Sequence, residues 1–257
     1  MSHFRRDSLS DLNLSKWAWN PFFDELLHQL SIFDLKSYPL DDDFLYKESA
    51  ILSKKEKSRI ITSTWACTID KIRQIRVACI KGSENISVMN LVIIPLNNFD
   101  LPFFGADFVT LPNGHLLALD FQPALKTDKI HTEKVFSHLI PLHKRWQALL
   151  PPGGAIPKEA KPFFSPGFLW TRLPLNKESE KTIMNIVMPA FIEYLALYVE
   201  LIKTAEEVSV ERALKILDGQ KSYMNYRSHK DPARAMLSRF YGKEWTEQYI
   251  QQVLFNL

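Results

Sequence analysis

The sequence predicts an α+β fold, a single-domain α/β/α sandwich whose central antiparallel sheet carries helices on both faces. Three observations predict it. Five strand-like runs follow one another between Arg59 and Pro123, with connections as short as "KGSEN" and "PNG" that suit sequential hairpins. Helix-period stretches then dominate the remainder, the order of elements typical of an α+β domain. The last three strand runs are apolar on both faces, so both sides of the sheet need cover. At 257 residues, 46% hydrophobic and 24% charged, the chain can build a substantial core. One domain over 1–257 is expected, with the first ~15 residues flexible.

The first helix lies within 17–35 and opens at Asn20-Pro21, where Asn can cap and Pro fits the first turn; Phe23, Leu26, Leu27 and Leu30 form its apolar stripe. After a polar region the strand runs are 59–68, 72–80, 86–94, 103–111 and 115–123, the last two joined by a tight Asn-Gly turn. Residues 132–147 read as helix, "LLPPGGAIP" as loop, and "FFSPGFLWTRLP" (163–174) as one more strand. A helix over 179–207 puts Phe191, Tyr194, Leu195, Tyr198, Leu201 and Ile202 on one face, with Pro189 placed to kink or divide it. Further helices run from Ser209 to Arg227, from Asp231-Pro232 onward, and through Trp245, Tyr249, Val253 and Leu254.

Several function classes fall away. No uncharged apolar run approaches the roughly 18 residues of a membrane span, and the N-terminus has no apolar signal core, so an intracellular protein is expected, in cytosol or in plastid stroma after processing. Two cysteines without a CxxC cannot ligate a four-thiolate cluster, and there is no HExxH, GxGxxG or GxxxxGK motif. The sequence therefore points to no metal and shows no nucleotide-phosphate loop, so any redox chemistry uses electrons from outside or a cofactor held without a familiar motif. A net charge of +3 is too mild for a committed nucleic-acid binder. The cations are grouped, however, as Lys54, Lys55, Lys57 and Arg59 and as Lys71, Arg73 and Arg76. These groups read either as solvated faces or as a landing site for an acidic protein.

Asp107 stands in the middle of "FFGADFVTL". A carboxylate inside a buried strand costs several kcal/mol unless it is neutral, paired or needed. With a period of two it shares a face with Gly105 and Val109, and Gly105 leaves room for something flat beside the acid. It is either a satisfied structural carboxylate near the sheet end or a chemical group. Asp231, directly before Pro232, is a standard helix start whose carboxylate caps the next helix. Asn90 in "SVMNLVII" is a core amide or a pocket group. Arg172 and Arg227 stand beside aromatic segments, as salt-bridge members or as holders of an acidic ligand.

Three stretches, "IIPLNNFDLPFFGADFVTLPNGHLLALDFQP", "FFSPGFLWTRLP" and "YRSHKDPARAMLSRFYGKEWTEQYIQQVLF", together resemble the ferredoxin-dependent bilin reductases, in the family's order and over roughly residues 58–257. The wording is most similar to the branch that reduces 15,16-dihydrobiliverdin at its A-ring diene to phycoerythrobilin. The resemblance implies an open-chain tetrapyrrole held between the sheet and the C-terminal helices. It implies no bound metal or flavin, and electrons delivered singly by an acidic iron–sulfur ferredoxin through a bilin radical. An upstream bilin reductase that hands over the substrate is a further implied partner; nucleic acid and membrane are not.

By motif position, Asp107 matches the family's central proton-donating aspartate and Asp231 the helix-side aspartate of branches acting on the A-ring. Arg227 lies one turn before Asp231, and Arg172 matches an arginine that pairs with a bilin propionate. Asn90 and Ala78 stand where the phycocyanobilin-forming branch has a histidine and a glutamate, which argues against that chemistry. Reducing a carbon–carbon double bond by single electrons needs matched protons, and burial together with a second carboxylate raises a carboxyl pKa enough for it to supply them. The competing expectations are a reductase acting on biliverdin, to give 15,16-dihydrobiliverdin or phycoerythrobilin in four electrons, and a non-enzymatic tetrapyrrole carrier.

Overall fold

The computed structural model describes residues 17–52, 57–82 and 85–257, with no side-chain description at 51, 52, 57 and 58. The N-terminal stretch expected to be flexible, Lys54, Lys55 and the side chain of Lys57 lie outside the described residues.

Among the described residues eight strands form one antiparallel sheet: β1 (Lys36–Ser37), β2 (Tyr46–Leu52), β3 (Lys57–Ile69), β4 (Ile72–Lys81), β5 (Ser87–Pro95), β6 (Phe103–Leu111), β7 (Gly114–Gln122) and β8 (Leu169–Leu173). From β3 onward each strand pairs with the next, while β1 and β2 share the outer edge of β3. The helices are α1 (Asn20–Leu30), the single turn α2 (Asp42–Leu45), α3 (Lys129–Gln147), α4 (Lys177–Thr182), α5 (Met188–Thr204), α6 (Val210–Lys230), α7 (Ala233–Tyr241) and α8 (Lys243–Tyr249).

Alternation in the strands builds two cores. Phe104, Ala106 and Phe108 of β6 pack with Phe22 of α1, Leu139 of α3 and Phe191 of α5 on one face. Phe103, Val92 and Ile80 pack with Tyr223 of α6, Leu237 of α7 and Tyr249 of α8 on the other. The α/β/α layering predicted from the doubly apolar strands is thus the observed one.

Element boundaries moved for identifiable reasons. The region read as polar connection contains β1, α2 and β2; their side chains are mostly exposed, so no apolar alternation marks them. At the start of α1 the cap position is taken by Trp19, and Asn20 instead donates from Nδ2 to Asp24 Oδ2 at 2.8 Å. The tight β6–β7 turn is formed by Pro112 and Asn113. Gly114 opens β7 with φ +133°, where a Cβ would also lie 2.6 Å from the Leu173 carbonyl oxygen. The strand expected over 163–174 is confined to Leu169–Leu173.

The helix expected over 179–207 runs from Lys177 to Thr204, and a π-helical turn at Ile183–Val187 divides α4 from α5 just before Pro189. That widened turn accommodates a residue lacking its N–H. By length and composition this helix could cross a membrane. Here it is a core helix, with Tyr194 and Tyr198 buried and donating to the carbonyls of Gly167 (2.9 Å) and Pro102 (2.6 Å).

Two contacts anchor α6, which forms part of the site. Arg212 in its first turn donates to Asp100 (2.7 and 2.9 Å) and to Asp128 (2.5 and 3.1 Å). Asp128 also caps α3 by accepting the His131 N–H, and His131 Nδ1 bonds Asp100. Arg212 holds the Asp128 carboxyl down to about 2. Gly219 then lets α6 pass so near the end of β7 that a Cβ would lie 2.3 Å from the Ala124 carbonyl oxygen.

Candidate functional site

Between the second sheet face and the α6–α7 layer lie two chambers of about 420 and 250 Å³ that share Asp107, Leu116, Arg227 and Pro232 as lining. Joined through that shared lining they reach the size of an ordinary ligand pocket, roughly 300–1,000 Å³. Gly105, Ala118 and Gln122 floor the larger chamber, and Phe163, Phe164 and Phe168 of the α3–β8 connection close it. Ala78, Asn90 and Val109 floor the smaller, which is roofed by Asp231, Met236 and Tyr249.

The walls of the larger chamber suit a flat ligand. Phe164 and Phe168 stack at 4.1 Å and 18°, and Phe168 and Trp170 at 5.9 Å and 16°. The Arg172 guanidinium lies 5.4 Å from the Trp170 ring, at an exposed position on edge strand β8. A Cβ on Gly105 would come within 3.2 Å of Gln122 Oε1, an atom already fixed by the Tyr223 hydroxyl.

Strand register places Asp107. It pairs with Asn90 on β5 and Ala118 on β7, and the alternation of β6 turns it away from the aromatic core toward the chambers, where it is half-buried. Asn90 Nδ2 donates to Asp107 Oδ1. Asp231 stands on the opposite wall, in the joint between α6 and α7. Its Oδ1 accepts the Ala233 N–H at 2.6 Å, so the predicted capping bond is present. Burial pushes its carboxyl above the usual carboxylate range; the Asp107 charge adds to that rise, and Arg227, the Ala233 N–H and Arg76 oppose it. Arg227, half-buried, is held above its ordinary value: burial works against its charge, but Tyr223, Asp107, Asp231 and Tyr226 outweigh it.

A flat, aromatic-walled slot with a carboxyl on each wall and cations inside and at its edge can bind a planar conjugated acid and protonate it from two sides. Comparison with known proteins gives this arrangement its context. A model of the family "Ferredoxin-dependent bilin reductase" matches residues 23–256. The chain belongs to the ferredoxin-dependent bilin reductases. Among curated relatives of the reductase, a phycoerythrobilin:ferredoxin oxidoreductase from Prochlorococcus marinus (strain SARG) is 63% identical over 253 residues, 98% of each chain. Another of that name, from strain MIT 9211, is 58% identical over 257 residues and the full length of both. The crystal structure of tomato phytochromobilin synthase in complex with biliverdin superposes with a TM-score of 0.80 at 28% identity, covering 93% of this chain and 83% of that one.

The reductase brings together in its slot all five residues singled out from the sequence: Asp107, Asp231, Asn90, Arg172 and Arg227. One sequence reading is corrected. Arg76 is not part of a basic surface group; it is fully buried on the slot side of β4. In the strand it continues the alternation of Ala78 and Ile80, which its charge disguised. Lys71 of the same group is also engaged, donating to the carbonyls of Lys203 (3.0 Å) and Ala205 (2.7 Å). Arg59, from the other basic run, pairs with Glu48.

Sequence reasoning missed Asp120. It is buried in β7, pairs in register with Gly105, and lines the larger chamber. Its oxygens accept from the N–H groups of Phe121 (2.9 Å) and Ser165 (3.0 Å) and from the Ser165 hydroxyl. Burial raises its carboxyl to about 7 against those bonds. Strand register puts it, two residues from Ala118, on the face of Asp107.

Proposed function

We propose that the protein reduces 15,16-dihydrobiliverdin to phycoerythrobilin at the A-ring diene, taking two electrons singly from reduced ferredoxin and two protons from its own carboxyl groups, without a resident cofactor. The placement of Asp107 and Asp231 on opposite walls of one slot carries this reading. A bilin lying between them meets an acid on each face. Arg172 at the exposed edge pairs with a propionate, and Arg227 inside offsets negative charge on the ligand and the two acids. The first electron gives a bilin radical anion, which takes a proton from one carboxyl group; a second electron and the second proton complete the product, and solvent reprotonates both acids.

Asn90 positions Asp107 by its hydrogen bond. Asp231, raised by burial, keeps a protonated population at higher pH than an exposed aspartate does. The names of the relatives support phycoerythrobilin as product and ferredoxin as electron donor, and the slot suits a planar ligand. The protein is placed in the cytoplasm, or the stroma of a plastid, where soluble ferredoxin is reduced; an upstream bilin reductase supplies the substrate.

The deciding experiment is an anaerobic assay with reduced ferredoxin that offers biliverdin and 15,16-dihydrobiliverdin in parallel and identifies products by chromatography. Conversion of dihydrobiliverdin alone to phycoerythrobilin is expected. Phycoerythrobilin formed from biliverdin would move the enzyme to the four-electron class, and a bilin bound but never reduced would make it a carrier.

A further inference from the structure

Arg76 is the most anomalous charge in the described chain. It is fully buried, yet none of its three guanidinium nitrogens has a hydrogen-bond partner in the protein, and the same holds for both amide atoms of Gln74, one same-face step away. Buried guanidinium groups are ordinarily paired, because arginine cannot shed its proton to escape the cost of burial. A position on β4 with an apolar neighbour in register on each side, Ala66 and Val92, would favour an apolar side chain on stability grounds.

Its location relates the charge to the slot. Arg76 lies one same-face step, about 7 Å, from Ala78 in the floor of the smaller chamber. In the next cross-strand row stand Asn90 and Asp107, the latter two strand spacings across and one same-face step along, about 12 Å away. The groups with which its charge interacts are Tyr249 above it, the two slot carboxyls Asp107 and Asp231, and Arg227. The guanidinium thus forms a fixed positive charge beneath the slot, close enough to act through low-dielectric protein and bonded to nothing else.

We propose that Arg76 is a positioning residue for electron uptake: its unpartnered guanidinium stabilises the negative charge that a bound bilin acquires with its first electron, before any proton arrives. This rests on the bilin-reducing function proposed above. The electron comes from ferredoxin, no bond is made or broken at Arg76, and the charge is neutralised when a carboxyl group protonates the radical anion. A unit charge about 12 Å away at an effective dielectric of about 20 shifts such an equilibrium by about tenfold.

The test uses the full-length protein loaded with 15,16-dihydrobiliverdin and titrated anaerobically against mediator dyes, the radical being read by absorbance and electron paramagnetic resonance. Arg76→Met keeps the stem and removes the charge; Arg76→Lys keeps the charge. The Met variant is expected to melt no lower than the parent and to bind the bilin within about threefold. Its one-electron equilibrium constant should nevertheless fall about tenfold, a shift of about 59 mV for one electron, which the Lys variant largely restores.

An unchanged potential in Arg76→Met, or a lost potential that Lys does not restore, overturns the inference. If Arg76→Met does not fold, Arg76→Gln carries the same comparison, and failure of both assigns the guanidinium to folding and also overturns it. A parent protein whose bound bilin accepts no electron refutes the function itself. A parent that is reduced at the same potential as its Met variant refutes only the role of Arg76.

Discussion

Replacing Asp231 by Asn separates chemistry from architecture at one atom. The structural duty of Asp231 is the 2.6 Å bond its Oδ1 accepts from Ala233, and an Asn Oδ1 can accept the same bond, since Asn and Asp are nearly equal as helix caps. The change also removes a charge that the fold resists. Because the folded pKa is raised, Asp231 favours the fold fully below its unfolded value near 4, and that contribution is lost as pH rises through the folded value. The Asn variant should therefore be at least as stable as the parent at neutral pH, with the difference shrinking toward pH 4.

Asp231→Ala, by contrast, loses the cap, worth about 0.5–2 kcal/mol. For a protein of this size that is a fall in Tm of roughly 1–8 °C. What the Asn variant cannot do is deliver a proton, and a positioned general acid is worth a factor of ~10² to 10⁴ in rate. Single-turnover reduction of bound dihydrobiliverdin by reduced ferredoxin, followed by absorbance, should slow by that factor while scanning calorimetry shows Tm within about 2 °C of the parent. Full turnover by Asp231→Asn would refute the chemical role and leave this residue as a cap alone.

Asp107→Asn should fold, bind bilin and accept an electron, then accumulate the radical; unimpaired product formation in the same absorbance experiment would return Asp107 to a structural role. Arg172→Gln removes an exposed cation at the slot edge. It should raise KM for the bilin by roughly 10- to 100-fold, the value of a charge-assisted hydrogen bond of about 1.5–3 kcal/mol, with kcat and Tm unchanged; steady-state kinetics at saturating ferredoxin checks this. Asp120, raised to about 7, favours the fold fully below pH 4 and loses that contribution as pH rises through 7. Across pH 5 to 8 the parent should lose more Tm than Asp120→Asn does, by calorimetry at matched ionic strength.

What the sequence made legible, and what it hid, follows from how each feature is encoded. The five central strands and the α/β/α layering were readable because burial on both faces leaves unbroken apolar runs, and short hairpins fix the order of strands. Asp107 was conspicuous because a lone carboxylate interrupts such a run. β1 and β2 were hidden: edge strands with exposed side chains carry no apolar periodicity. Arg76 was misread because charge argues for solvent, and only the register of β4 against β3 and β5 shows that this arginine faces inward. Asp120 escaped because its place depends on pairing with Gly105 and on a serine 45 residues later in the chain. Asp231 was recognisable as a cap from Asp-Pro alone, but its place over Asp107 depends on how α6 crosses the sheet.

That crossing bears on how such an enzyme could be re-aimed. α6 is tied down in its first half, by Arg212 and by the close passage at Gly219, whereas Asp231 sits beyond its far end in a two-residue joint. The sheet-side acid is locked by strand register, where a slip of one residue would turn it into the opposite core. The helix-side acid sits in the two-residue joint of Asp231 and Pro232. One added residue there would swing α7 by about 100° around its axis while leaving the sheet and the anchored half of α6 untouched. The two acids are thus separately adjustable, one set by strand register and one by a two-residue joint, so if both are proton donors, diversification of the atom protonated on a common ligand is expected to concentrate in residues 227–237.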